Sequence, residues 1–224
     1  LITHLHSDHY LELGPLFHTA WTAGLNRPIP VIGPSGLPAY WDGFLRSMDF
    51  DITLRIADEG RVPLAPLFDF TRIGDGTVFE GGPTIRAMRN IHPPIKESYA
   101  LRFDHGGDSI VISGDTAYMP EMADFARGAD ILLHEAMLVD GVEALVKRMT
   151  NGDDRLRTHI LRSHTSAADV GRIARDAGVG QLALTHMVPD GDPDFTEAHW
   201  VSEVRKHWDG PLHIGQDGMR LKTL

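Results

Sequence analysis

The sequence predicts an α/β fold, and three observations carry that expectation. Short apolar, β-branched runs alternate with stretches of helical periodicity along the chain. Glycine and proline punctuate the alternation at short intervals, without repeats, low-complexity tracts or linkers, so one domain over residues 1–224 is expected. The polar residues capable of chemistry, His4, Asp115, His134 and His186, each fall at or near the C-terminal end of a predicted buried strand. Sheets of this class place reactive groups there, because the loops are free to diverge while the strands hold their ends in place.

Taken in order, Leu1–Thr3 reads as the tail of a buried strand ending at His4, and residues 9–24 suit a helix. "PIPVIGP" (28–34) is a short strand between prolines, followed by a helix over 37–48. Residues 77–90 and 97–104 alternate enough to pair as antiparallel strands. "DSIVISGDT" (108–116) is a β-branched run stopped by Gly114 and Asp115. A helix is predicted from Pro120, suited to a first turn, to Gly128, and "DILLHE" (130–135) is a further buried strand. In "SAADVGRIARDAG" (166–178), Ser166 caps a helix, Ala167, Val170, Ile173, Ala174 and Ala177 form one apolar stripe, and Gly178 ends it. "QLALTH" (181–186) runs as a strand to His186, and 197–208 is helical.

Composition bounds the function. Hydrophobic content of 42% and charged content of 23% over 224 residues suit a soluble globular domain with a sizeable core. No stretch approaches the roughly 18–20 apolar residues of a membrane span. No secretion signal is visible, which leaves the compartment open between cytoplasm and periplasm. A net charge of −10 disfavours nonspecific binding to nucleic acid or anionic membranes, which needs a positive surface. With no cysteine and 13 histidines, a transition-metal site has only nitrogen and oxygen ligands, which suits zinc, manganese or iron.

"LITHLHSDHY" supplies four such ligands in ten residues: His4, His6, Asp8 and His9. In an extended segment His4 and His6 point to one side, and a turn at Ser7 swings Asp8 and His9 to an adjacent position. The pattern H-x-H-x-D-H at a strand end resembles the signature of the metallo-β-lactamase superfamily. Later residues follow in the superfamily's order: His92 in "NIHPP", Asp115 in "SGDT" and His186 in "LTHMVP". "HPPIKESYALRF", "LLHEAM" and "SHTSAADVGRIA" are similar to motifs of the ribonuclease Z-like and arylsulfatase-like branch.

The resemblance implies a four-layer αββα sandwich and places several strands before the first motif, so the chain is expected to be incomplete at its N-terminus. It assigns His4, His6 and His92 to one metal and Asp8, His9 and His186 to a second, with Asp115 bridging. The implied cofactor is Zn2+, one ion or two, with Mn2+ or Fe2+ as alternatives. Asp8, His164 and Glu135 are the implied catalytic residues, His164 as general acid or charge stabiliser with its proton held by Glu135. His134 reads as a residue whose hydrogen bond orients a ligand. His159, Trp21, "GPLFHTAW" and the stretch 137–160 are candidates to wall a substrate cleft; His18, His105, His199, His207 and His213 are expected in surface or core roles.

A metal-bound hydroxide at such a site cleaves phosphodiesters, sulfate esters, lactones or β-lactams, and displaces aryl halides. A small ester-type substrate, phosphodiester or aryl sulfate-like, is the expectation, with a dehalogenase or lactonase acting on an apolar or aromatic molecule as the alternative. The 22 residues between His92 and Asp115 leave room for a hairpin and none for the long basic arm with which ribonuclease Z grips transfer RNA. That disfavours transfer-RNA 3′ processing, and nucleic acid generally. Retention of every ligand disfavours a non-catalytic metal-binding scaffold. The expected partners are a small-molecule substrate and a second copy in a homodimer.

Overall fold

In the computed structural model, which describes residues 1–149 and 153–223, the periodicity of the chain resolves into two compact units, Leu1–Ile73 and Gly74–Leu224. The first is mainly helical. A one-turn helix α1 (Ser7–Tyr10) leads into α2 (Leu13–Thr22), then strand β1 (Ile29–Gly33), helices α3 (Leu37–Ser47) and α4 (Asp49–Glu59), and strand β2 (Phe68–Arg72). β1 and β2 pair in parallel, Ile29 opposite Phe68.

Leu1–Thr3 does not form the predicted strand. Its one backbone link to β1 is Ile2 N donating to Ile32 O at 2.9 Å, which is too little for a ladder. The helix predicted over 9–24 is broken at Leu11–Glu12 for a local reason. Pro15 has no N–H to offer the Leu11 carbonyl, and the Tyr40 hydroxyl donates to that carbonyl instead (2.7 Å) while accepting from Gly14 N (2.9 Å). The core of this unit is aromatic: Phe17 stacks on Phe68 with ring centroids 3.7 Å apart, and Trp41 meets both edge-on. Trp21 belongs to that core. It is 1% exposed and its indole N–H donates to Val62 O at 2.9 Å, so the expectation that it lines a cleft is corrected. Likewise "GPLFHTAW" spends Gly14, Phe17 and Trp21 on packing.

The second unit is a seven-stranded sheet. Its strands in spatial order are β3 (Gly76–Glu80), β4 (Thr84–Arg89), β5 (Tyr99–His105), β6 (Asp108–Ile112), β7 (Ile131–Met137), β8 (Gln181–Val188) and β9 (Leu212–Ile214). The pairs from β3 to β6 are antiparallel and those from β6 to β9 parallel. Residues 77–90 form two strands, since Gly81, Gly82 and Pro83 turn the chain between β3 and β4. The hairpin β5–β6 fills the interval between His92 and Asp115, as its length required.

The remaining helices are α5 (Glu121–Phe125), α6 (Val139–Arg148), α7 (Arg155–Ser163), α8 (Ala167–Ala177) and α9 (Glu197–Val204). Among the described residues no helix is long and apolar enough to cross a membrane. The stretch 137–160 becomes the end of β7, α6 and part of α7; its residues 150–152 lie outside the described residues. Helix α8 matches its pattern closely. Ser166 Oγ accepts from Asp169 N at 3.1 Å, Gly178 closes the helix, and every residue of the stripe is buried. Those residues pack with Met122 of α5 and Ala126 at its C-terminal end, Leu132 of β7, Leu182 and Leu184 of β8, and Trp200 and Val204 of α9. Complete burial of an Ile or Leu in such a layer contributes about 1.5–3 kcal/mol. Gly171 permits the α8–α9 contact, because a Cβ there would lie 2.5 Å from Val204 O. α9 ends at Val204, shorter than predicted, and hydrogen-bonded turns carry the chain on to Trp208.

Candidate metal centre

Each unit carries its own set of candidate ligands. In the first, the extended run ending at His6 and the abrupt start of α1 do what the spacing implies. His4, fully buried, brings Nε2 to 3.2 Å from His6 Nδ1. Helix α1 then turns His9 so that its ring centroid lies 4.0 Å from that of His4, and His9 Nε2 stands 3.3 Å from Asp8 Oδ2. Asp8 sits in the first turn of α1, where the helix end favours a negative charge, and its side chain is the most exposed of the four.

In the second unit the ligands come from loops and strand ends far apart in sequence. After β6, Ser113 N donates to Leu133 O and Asn90 Nδ2 to Ser113 O (3.0 and 2.7 Å), pinning the turn that presents Asp115. The Asp115 carboxylate is buried, with Oδ2 3.4 Å from His186 Nε2 and 3.8 Å from His92 Nε2. One ligand atom from each of Asp115, His164 and His186 lies within 4.8 Å of the others. The rings of His164 and His186 stack at 13° with centroids 5.7 Å apart.

His186 departs from the sequence expectation in one respect: it lies inside β8 rather than at its end. Glu135 pairs with Thr185 and Ala136 with Met187, which leaves His186 as the extra residue of a bulge. Its φ of 44° is in the left-handed region. For a residue with a Cβ that conformation costs of order 1–3 kcal/mol, and a bulge re-aims the side chain it carries.

Glu135 and His164 form the expected pair, His164 Nδ1 to Glu135 Oε2 at 3.2 Å. The carboxylate is held further by Thr165 N (2.8 Å) and Thr116 N (3.4 Å), both donating to Oε1. Burial pushes the Glu135 carboxyl up from its ordinary pKa, against the opposing pull of His164 and Thr165. His134 does not orient a ligand by a hydrogen bond. Its Nδ1 bonds to Glu135 O at 2.6 Å, and its buried Nε2 has no hydrogen-bond partner among the described residues. Burial pulls it down to about 4, so it is neutral at pH 7.

The other histidines largely do structural work. His18 bonds Asp51 (2.9 Å), His199 completes a capping box on α9 and His213 bonds Gln181 (3.0 Å). His159 is half-buried, its ring 6.2 Å from that of His92. Near His186 the second unit has a cleft of about 700 Å³ lined by Leu133, Thr185, His186, Asp190 and Asp217 among others. Sequence reasoning misses Ser163, Thr165 and Thr116, although two of the quoted motifs contain them; hydroxyl residues beside ligands are the available signal.

Within the second unit, Asp115, His164 and His186 form a donor set that fits a transition metal, and the first unit offers His4, His6, Asp8 and His9 as further nitrogen and oxygen donors. Imidazole nitrogens and carboxylate oxygens converge on one another, several of them buried, with no cation-bearing side chain among the grouped ligands.

Comparisons with known proteins agree with this chemistry. The family described as anti-Pycsar protein Apyc1 matches residues 1–186, a span that ends on the last predicted ligand. A ribonuclease Z of Mycolicibacterium gilvum is 33% identical over 227 residues, covering 100% of this chain and 77% of the relative. Among solved structures, the metallo-β-lactamase fold protein YhfI of Bacillus subtilis has a TM-score of 0.64 at 23% identity, covering 97% of this chain and 74% of its own. The short form of human tRNase Z (ELAC1) has a TM-score of 0.63 at 19% identity, covering 100% and 78%. At those identities the two structures establish the fold alone.

The M. gilvum comparison also weighs on the sequence argument against nucleic acid. Its 227 aligned positions against 224 residues leave no room for a long inserted arm in that relative either, so the missing arm does not separate the two. The ligand pattern, the sheet that presents it and the match over most of the chain lead to one conclusion: this protein belongs to the anti-Pycsar protein Apyc1 family, among the ribonuclease Z-like hydrolases of the metallo-β-lactamase fold.

Proposed function

We propose that the chain, as one domain, is a metal-dependent hydrolase of phosphodiesters, with Zn2+ as its preferred ion and Mn2+ or Fe2+ as substitutes. The observation that carries the reading is the buried Asp115 carboxylate facing both His186 and His92, with the Glu135–His164 pair beside it. On the motif order, His4, His6 and His92 would hold one ion and Asp8, His9 and His186 a second, with Asp115 available to both. Bound there, the ions would supply Lewis acidity and activate water near neutral pH.

The chain's own residues do the rest. His164 carries a proton toward Glu135 on Nδ1, which leaves Nε2 to face the departing group as a general acid or, when protonated, as a stabilising charge. Glu135 holds that ring in one orientation through its three hydrogen bonds. Asp8, the exposed acid of the first motif, takes part in proton transfer. The substrate is a small phosphodiester, with an aryl sulfate as the nearest alternative and a dehalogenase or lactonase on an apolar or aromatic molecule after it. An RNA phosphodiester is the second reading, favoured by the relative named ribonuclease Z. A homodimer is the proposed assembly.

The test combines metal analysis with a panel of bis(p-nitrophenyl) phosphate, p-nitrophenyl sulfate, a lactone and a 3′-extended transfer RNA precursor. Chelator-sensitive turnover of the phosphodiester is the expected result. Cleavage of the RNA at a rate far above the small diester favours the second reading. Stoichiometric metal with no turnover of any substrate overturns the catalytic proposal.

A further inference from the structure

The turn that joins α7 to α8, Ser163–Thr165, carries one catalytic candidate, His164, yet its two flanking residues do something the motif does not announce. The carbonyl of Ser163 bonds His92 Nδ1 at 2.9 Å. A carbonyl oxygen only accepts, so His92 Nδ1 must carry the hydrogen, and in the neutral ring the lone pair then lies on Nε2. Nε2 is the atom that stands 3.8 Å from Asp115 Oδ2. We infer that this turn is a positioning device for His92: it selects the ring tautomer that offers Nε2 to a metal and fixes the plane of the ring. The inference rests on the proposed metal centre.

Three features make the device a strong one. Ser163 is the last residue of α7, where helix carbonyls lack intrahelical partners and the helix dipole is negative. Such a carbonyl is a good acceptor, and an acceptor on Nδ1–H raises the basicity of Nε2. The serine is clamped to the loop it serves, because its own hydroxyl donates to Pro93 O at 2.7 Å, one residue beyond His92. Two independent bonds thus run between the turn and the ligand's loop, one from ring to backbone and one from side chain to backbone.

Thr165 anchors the other side of the turn. Its hydroxyl donates to Thr116 O at 2.7 Å, next to Asp115, and its amide donates to Glu135. Ser163, Thr165 and Thr116 are all fully buried, so water does not compete for these bonds. Ring orientation at His92 and at His164 therefore depends on the same three residues, and both rings approach at 5.3 Å between centroids. Ser163 and Thr165 are positioning residues: they touch no reacting atom and act through the histidines.

The experiment has a spectroscopic arm and a metal-binding arm. Long-range ¹H–¹⁵N correlation spectra of the metal-free full chain, with His92 assigned by comparison with His92→Gln, report which ring nitrogen is protonated. The expected result is Nδ1–H in the wild type. A wild-type His92 protonated on Nε2 alone overturns the inference without any variant. Competition titration with Zn2+ against a chromophoric chelator is then run on the wild type, Ser163→Ala and Thr165→Val. About tenfold weaker binding of one ion, with the other unchanged, is expected in whichever variants fold. Loss of the single Nδ1–H signal in the same variants supports the inference, since a packing defect alone would leave the tautomer intact. Wild-type metal uptake with unchanged affinity in both variants overturns the inference alone; no uptake by the wild type overturns the metal-centre reading itself.

Discussion

The two units assemble their candidate ligands by opposite strategies. In Leu1–Ile73 four ligands come from one short stretch, so their geometry is set locally: an extended run for His4 and His6, then one helical turn for Asp8 and His9. In Gly74–Leu224 the candidate ligands come from four places along the chain, and a mixed sheet with its crossover helices brings His186 and His92 to 3.4 and 3.8 Å from the Asp115 carboxylate. A local motif tolerates a modest scaffold. A dispersed one makes each ligand depend on strand register, a bulge and a buried hydrogen-bond network, and the backbone at His186 shows where that dependence is concentrated.

The largest expected effect strikes the dispersed set at its centre. Asp115→Ala should lower kcat on the phosphodiester by about 10²–10³-fold or more, because a positioned charge at the reacting centre is lost. Metal content measured in parallel should fall as well. Activity near that of the wild type would remove Asp115 from the site and dissolve the comparison.

Core truncations come next and test the two scaffolds separately. Trp21→Ala, in the aromatic core, should destabilise by about 3–5 kcal/mol, and Ile173→Ala, in the layer beneath β7 and β8, by about 2–5 kcal/mol. Urea midpoints with unchanged slopes would measure both. The sharper expectation is that only Ile173→Ala disturbs the His186–Asp115 arrangement, seen as shifted His186 ring signals in ¹H–¹⁵N spectra of the folded variants; equal shifts in both would contradict it.

A smaller effect depends on pH and belongs to the second unit. His134 titrates near 4 in the folded chain and at its ordinary 6.5 when unfolded. Between those values the unfolded state binds the extra proton, so stability falls as pH drops from about 6.5 to about 4, by of order 3 kcal/mol in total. His134→Leu should flatten that part of the acid limb in denaturation curves measured at pH 7, 5.5 and 4. An unchanged slope would mean that the imidazole is not desolvated. Least of all is expected from Leu16→Ser: Leu16 is 62% exposed on α2, and the change in stability should stay within about 0.5 kcal/mol.

Much of the fold is legible in the amino-acid sequence. α8 can be read residue by residue, because a cap, an apolar stripe and a terminal glycine are local signals that the tertiary structure has no reason to override. β1 and β6 are legible as β-branched runs between stops, and β7 as a short apolar run. Two helices, α3 and α4, meet at Met48 alone, and the second escapes sequence reasoning since only Ile52 of its residues is buried. Strand β2 escapes it for a related reason: beyond Phe68 its residues face outward or are partly exposed, so no apolar run marks it. Trp21 is misplaced by its sequence context because an aromatic near a metal motif reads equally well as pocket wall and as core.

Residue types, order and spacing by themselves determined the donor chemistry and the α/β class, since each follows from which atoms are available and how strands and turns space them; the pairing of Glu135 with His164 came from the family resemblance. The tertiary structure alone decided that His186 sits on a bulge, that His134 is a buried neutral base without a second partner, and that the Ser163 carbonyl sets the tautomer of His92. Those facts depend on register and on hydrogen bonds between residues as many as 71 positions apart, which no local pattern encodes.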